Sequence, residues 1–71
     1  MESLLVIRPK SFAATAPILV FNGWVPSPPQ IVARDPITAD VIAAPLPMLG
    51  GMRIVAYNRG DERATVTLRY E

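Results

Sequence analysis

Eight prolines decide most of what this 71-residue chain can become. They stand at positions 9, 17, 26, 28, 29, 36, 45 and 47, and no proline-free stretch before position 48 exceeds eight residues. A proline inside a helix removes a backbone donor and clashes with the preceding turn, at a cost of about 3 kcal/mol. Long helices are therefore excluded from the first two thirds of the chain. Only Met48 to Glu71 is free of proline, and its pattern there is that of strands.

The clearest element is the last. Arg63-Ala64-Thr65-Val66-Thr67-Leu68-Arg69-Tyr70 alternates polar and apolar without a break, the period of a half-buried strand. It predicts one face with Ala64, Val66, Leu68 and Tyr70, and an opposite face with Arg63, Thr65, Thr67 and Arg69. Met52 to Tyr57 is a second strand candidate just upstream. If Asn58-Arg59-Gly60 is a three-residue turn, Tyr57 lies opposite Asp61, Ile54 faces Ala64 and Met52 faces Val66, so the apolar rows coincide. Slipping the register by one residue would set apolar residues against threonines. Such a turn commonly places glycine in the left-handed region at its third position, which is Gly60. The expectation is a C-terminal β-hairpin. Arg59-Gly60-Asp61 is also a tripeptide that acts as an adhesion signal in exposed loops of some extracellular proteins. Here the turn accounts for Gly60, and solvated charge accounts for its neighbours.

Upstream, Leu4 to Arg8, Pro17 to Phe21 and Gln30 to Arg34 read as short strands. Asn22-Gly23 between apolar runs signals a hairpin, with Trp24-Val25 beginning the return strand and Pro26 ending it. The unalternating runs Leu4 to Ile7 and Ile18 to Phe21 suggest strands covered on both faces, by this chain or by a neighbour. Asp35 to Ala44 remains open: Asp35-Pro36 is a proper helix start, whereas Ile37, Thr38, Val41 and Ile42 favour a strand. Leu46 to Gly51 is expected to be a loop hinged at Gly50-Gly51. The fold class that follows is all-β, a small sandwich or open barrel of five to six short strands. It forms one domain over residues 1–71, with extended arm-like segments near 9–17 and 45–51.

The composition offers little chemistry. There is no cysteine and no histidine, so disulfides, thiolate sites and imidazole ligands are absent. The serines lack a base to activate them. Asp35 and Asp40 could face a common site, but Asp35 before Pro36 is more simply a turn or cap residue. No glycine pattern resembles a phosphate loop. No cofactor is expected, and the reading is non-enzymatic. The net charge of +1, without a basic stripe, speaks against nucleic acid. The Met1-Glu2-Ser3 start lacks the positive region of a signal peptide, and the longest uncharged stretch is broken by prolines, so neither secretion nor a membrane helix is expected.

What the composition does supply is apolar surface. Hydrophobic residues make up 51% of a chain that can bury only a small core. Self-association or docking into a larger assembly is therefore expected. Phe12, Ile18, Val20, Trp24, Leu46, Met48 and Leu49, on or beside the proline-broken segments, are the candidate contacts with other protein subunits. Phe12 could be an anchor inserted into a neighbour. Trp24 could fill the core or an oligomer seam. A different reading is a small β-barrel binding module that holds a peptide or protein through Trp24 and the proline-rich residues 25–29.

With its Ala/Pro/Thr-rich Phe12 to Pro17 stretch and its terminal strands from Arg53 to Tyr70, the chain resembles the small virion structural proteins of tailed bacteriophages. These are the capsid cement or decoration proteins and the tail or neck accessory proteins. The resemblance implies a trimer or other ring docked on a shell or tube. It also implies localisation in a virion made in the host cytoplasm; failing that, the chain would be cytoplasmic.

Overall fold

A computed structural model describes residues 1–19 and 28–70, and it is all-β. Seven strands occur among the described residues: β1 (Glu2–Ile7), β2 (Ser11–Ala14), β3 (Ile18–Leu19), β4 (Gln30–Asp35), β5 (Val41–Met48), β6 (Gly51–Asn58) and β7 (Ala64–Arg69). They form two antiparallel sheets. Sheet A has the order β1-β7-β4. In sheet B, β6 is central, with β5 on one side and β2 and β3 sharing the other. Of the sandwich and the open barrel, the chain makes the sandwich.

The two central strands line the interior. Met52, Ile54, Ala56 and Asn58 of β6 are buried, as are Ala64, Val66 and Leu68 of β7 and the adjoining Tyr70. Ile7 and Val41 close the cluster, and Leu5, Ile18 and Ile31 pack against it. The alternation read from the sequence for β7 is thus the alternation observed.

The pairing is different. β6 and β7 do not form a hairpin; they belong to different sheets. The residues expected side by side instead meet face to face across the sandwich, and residues 59–63 form an arch between the sheets. Gly60 does not adopt the left-handed conformation that the three-residue turn requires. Asn58 explains the arch. Its side chain is buried, its Nδ2 donates to Ile7 O at 3.1 Å and to Glu62 O at 2.7 Å, and its Oδ1 accepts from Gly60 N at 2.9 Å. One amide therefore ties the end of β6 to the end of β1 and to the far side of the arch. Both flanks of β6 are in any case occupied, by β5 and by β2 and β3, so no place is left for β7.

The only hairpin among the described residues is β5–β6, closed by Leu49 and Gly50, with Gly50 at φ 76°. The expected loop Leu46 to Gly51 is therefore largely strand, and so is the expected arm at 45–51. Much of the 9–17 arm is strand as well, as β2. The prolines fit for a geometric reason. Met48 and Gly51 flank a two-residue turn and so exchange hydrogen bonds, which aims the nitrogens of Pro45 and Pro47 away from β6. A proline there removes no ladder bond, as an edge strand permits. In the Asp35 to Ala44 segment the strand alternative holds: Ala39 N bonds Pro36 O at 2.9 Å in a turn, and β5 starts at Val41.

Candidate protein-interaction site

The sheets differ in what they turn outward. In sheet B the register sets Phe12, Tyr57 and Ile42 in one outward row and Ala14, Val55 and Ala44 in the next. Leu46 follows beside Arg53, then Leu19 and Met48 flank Gly51. Apart from Arg53 and Gly51, every residue of this face is apolar. Phe12 and Leu19 are each 71% exposed, and Ile42, Leu46 and Met48 are each about half exposed. The Phe12 and Tyr57 rings lie 4.6 Å apart between centroids, tilted by 47°, a favourable aromatic geometry on an uncovered surface. Arg53 is the charged residue of this face, and its guanidinium reaches across to donate to Thr15 O at 3.3 Å.

Thr15 holds the flank of this face in register. It is buried between β2 and β3, where its backbone N donates to Ile54 O at 3.0 Å and its Oγ1 accepts from Ile54 N at 3.1 Å. That double link keeps β2 and β3 as one edge although Pro17 interrupts it. Gly51 lets β3 come close: a Cβ at Gly51 would lie 2.5 Å from Ile18 O.

Three of the residues expected at an interface, Phe12, Leu46 and Met48, share this outer face. Leu49 is fully exposed at the tip of the β5–β6 hairpin, next to Met48. Ile18 goes elsewhere: it pairs with buried Met52 and packs against the core. Val20 and Trp24 lie outside the described residues, as do the Asn22-Gly23 turn and most of the proline-rich segment. The sequence reading missed Leu19, Ile42, Val55 and Tyr57. A signal for three of them was present: Leu19 lies in the unalternating run Ile18 to Phe21, and Ile54-Val55-Ala56-Tyr57 is apolar on both faces of its strand, the mark of a strand covered on both sides.

Several charged groups are engaged away from this face. Arg59 donates from Nε at 3.1 Å and from Nη2 at 2.7 Å to Asp40 Oδ1, and its backbone N donates to Asp40 O at 2.8 Å. Lys10, whose φ is 55°, donates to Arg59 O and lies 3.6 Å from Asp61. The Arg59-Gly60-Asp61 tripeptide is thus fastened at both ends to the body of the protein. Asp40 is committed to Arg59, and no group of three or more acidic side chains among the described residues could hold a metal ion. No described helix is long and apolar enough to cross a membrane. Comparison with family models, curated proteins and solved structures returns no match to this chain.

Proposed function

We propose that this protein is a non-enzymatic structural subunit that docks the outer face of sheet B against neighbouring protein subunits. The observation behind this reading is the face itself: five large apolar side chains, Phe12, Leu19, Ile42, Leu46 and Met48, exposed on one side of one sheet. Contiguous apolar surface of this kind on a small protein ordinarily marks a protein interface. Aromatic residues, methionine and arginine are enriched at such interfaces, and lysine and carboxylates are depleted, which is the composition of this face. The small core makes the reading economical, because a subunit that buries this face on a partner gains stability from the assembly. The likeness in character to small virion structural proteins of tailed bacteriophages makes a shell or tube the preferred docking surface, with a capsid cement or accessory role.

Size-exclusion chromatography with light scattering tests the docking face. The wild-type chain should run above monomer mass or adhere at micromolar concentration. The double variant Ile42→Lys/Leu46→Lys should lower that mass while keeping the same β circular dichroism. If wild type and variant show the same mass and the same recovery, the face is not an interface. Mass spectrometry of particles purified from a culture carrying the encoding genome tests the virion role separately; absence from the particles would remove that role alone.

A further inference from the structure

Sandwiches have four sheet edges, and an unprotected edge is a template for another strand. Three edges of this molecule carry protection. β5 has Pro45 and Pro47 with their nitrogens turned outward. β4 has an irregularity between Ile31 and Ala33 and is flanked by Pro29 and Pro36. The edge shared by β2 and β3 is broken at Pro17 into pieces of four and two residues. β1 has none of these devices. Its six residues, Glu-Ser-Leu-Leu-Val-Ile, are paired without a register shift to β7, and Leu4 and Val6 on its outward face are 68% and 49% exposed.

The direction of the free bonds can be read from the pairing. Tyr70 N donates to Met1 O and Met1 N donates to Tyr70 O, each at 2.9 Å. Residues 1, 3, 5 and 7 therefore bond β7, and Glu2, Leu4 and Val6 aim N–H and C=O at the open edge, with Arg8 following just beyond the strand. We infer that β1 pairs antiparallel with β1 of a second copy of this chain, about a two-fold axis through Leu5, joining two A sheets into one six-stranded sheet.

Charge and bonding together select this occupant and this register. With Leu5 on the axis, Leu4 lies opposite Val6 of the other copy, and Glu2 lies opposite its Arg8, on both sides of the axis. The Leu4–Val6 pairs join residues whose backbone groups point outward, so each exchanges two hydrogen bonds, and the Glu2–Arg8 pairs bring opposite charges together at the two ends. Shifting by two residues puts Leu4 opposite itself and Glu2 against Val6, or Val6 opposite itself and Arg8 against Leu4, leaving charges against apolar residues. Registers that set an outward-bonding residue against an inward-bonding one lose the ladder altogether. Arg8 makes no ion pair among the described residues, and Glu2 uses only Oε2 on Arg69, which leaves Oε1 for the incoming guanidinium. The arrangement is closed: each copy uses the one unprotected edge among its described residues, and the new sheet ends on protected β4 strands. It also sets the outward side chains of Leu4 and Val6 beside those of the other copy, on a strand whose apolar run suggested a neighbour.

The chain has no cysteine, so single cysteines report the register without background. In a non-hydrogen-bonded antiparallel pair the Cα atoms are about 4.5 Å apart, within disulfide range, whereas diagonal neighbours are about 7–8 Å apart and beyond it. Under mild oxidation Leu5→Cys should give a band at twice the 7.7 kDa chain mass, and Leu4→Cys and Val6→Cys should give little. Sedimentation should show a dimer that persists in the Ile42→Lys/Leu46→Lys variant, because the edge and the face are separate surfaces. Val6→Pro should convert that dimer to a folded monomer by removing an outward donor while leaving the β7 bonds intact. Arg8→Glu should weaken it through Glu2 of the other copy. A monomeric face variant, faster linkage through position 4 or 6 than through 5, or a dimer indifferent to both Val6→Pro and Arg8→Glu overturns the proposal. The two readings fail separately: a face variant as heavy as the wild type counts against the face alone, and a monomeric face variant counts against the edge alone.

Discussion

Along sheet A each outward row crosses a polar residue of β7: Glu2, Arg69, Gln30; then Leu4, Thr67, Ala33; then Val6, Thr65, Asp35. Along sheet B the corresponding rows cross Tyr57 and Val55 of β6, with apolar residues on either hand. The central strands have the same job inside the sandwich and opposite characters outside. β7 alternates as a strand with one solvated face does, and β6 is apolar on both faces from Ile54 to Tyr57, as a strand covered twice is. Since the inner faces of both sheets already make the core, the apolar outside of sheet B has no use in the isolated fold. The contrast therefore separates the residues that make the fold from those that the proposed docking would use.

The largest effects should be those that ignore the contrast. Ile54→Ala in sheet B and Leu68→Ala in sheet A each leave a cavity in the shared interior, and each should cost about 3 kcal/mol. That is much of the stability of a domain this small, so both variants should lower the urea midpoint steeply and equally. A large loss in one and a small loss in the other would mean that the sheets do not share one core.

Asn58→Ala comes next, at about 2 kcal/mol, because it removes the buried amide that joins Ile7 O, Glu62 O and Gly60 N and so loosens the arch. If the chain formed the hairpin first expected, Asn58 would be a turn residue and the loss would be a few tenths. The glycines sharpen the same point. Gly51→Ala drives a Cβ into the backbone of Ile18 and should cost about 1–3 kcal/mol, with faster hydrogen exchange in sheet B than in sheet A. Gly60→Ala meets only Asn58 Oδ1, at 3.2 Å, and needs no left-handed backbone. Its effect on the thermal midpoint should be slight.

How far these features can be read from sequence depends on what period two contains. Alternation says which side chains share a face, and for β7 it did so residue by residue. It does not say whether two apolar faces lie side by side in one sheet or oppose each other in two. Both arrangements bury Ile54, Ala64 and Val66, so matching the rows by parity could not choose between hairpin and arch. The choice is made by long-range partners: Ile7 O, 51 residues from Asn58, and the strands on both flanks of β6. β5 was hidden for a different reason. Pro45 and Pro47 read as breakers, yet two prolines one residue apart aim both nitrogens the same way, which is what an edge strand tolerates. Phe12, Leu46 and Met48 were picked out as interface residues because they are apolar in segments that looked unable to bury them; Ile18 met the same criterion but found a place in the core.

The smallest expected change in stability bears most directly on the contrast. Thr67→Val on sheet A and Leu46→Lys on sheet B alter outward side chains, and each should shift folding stability by no more than about 0.5 kcal/mol. Their effects on association should oppose each other. Leu46→Lys puts a charge beside Arg53, where a partner would have to desolvate it, and should reduce association through sheet B. Thr67→Val extends an apolar row from Leu4 to Ala33 across sheet A and should make a new adhesive face where there was none. Light scattering against concentration, with circular dichroism to confirm an unchanged fold, measures both. If both substitutions leave association unchanged, the outward rows of the two sheets differ in composition but not in use, and the polarity of β7 is then incidental. If Leu46→Lys alone acts, sheet B is an interface, and the threonines of β7 are there because strands favour them and not because they keep sheet A free of partners.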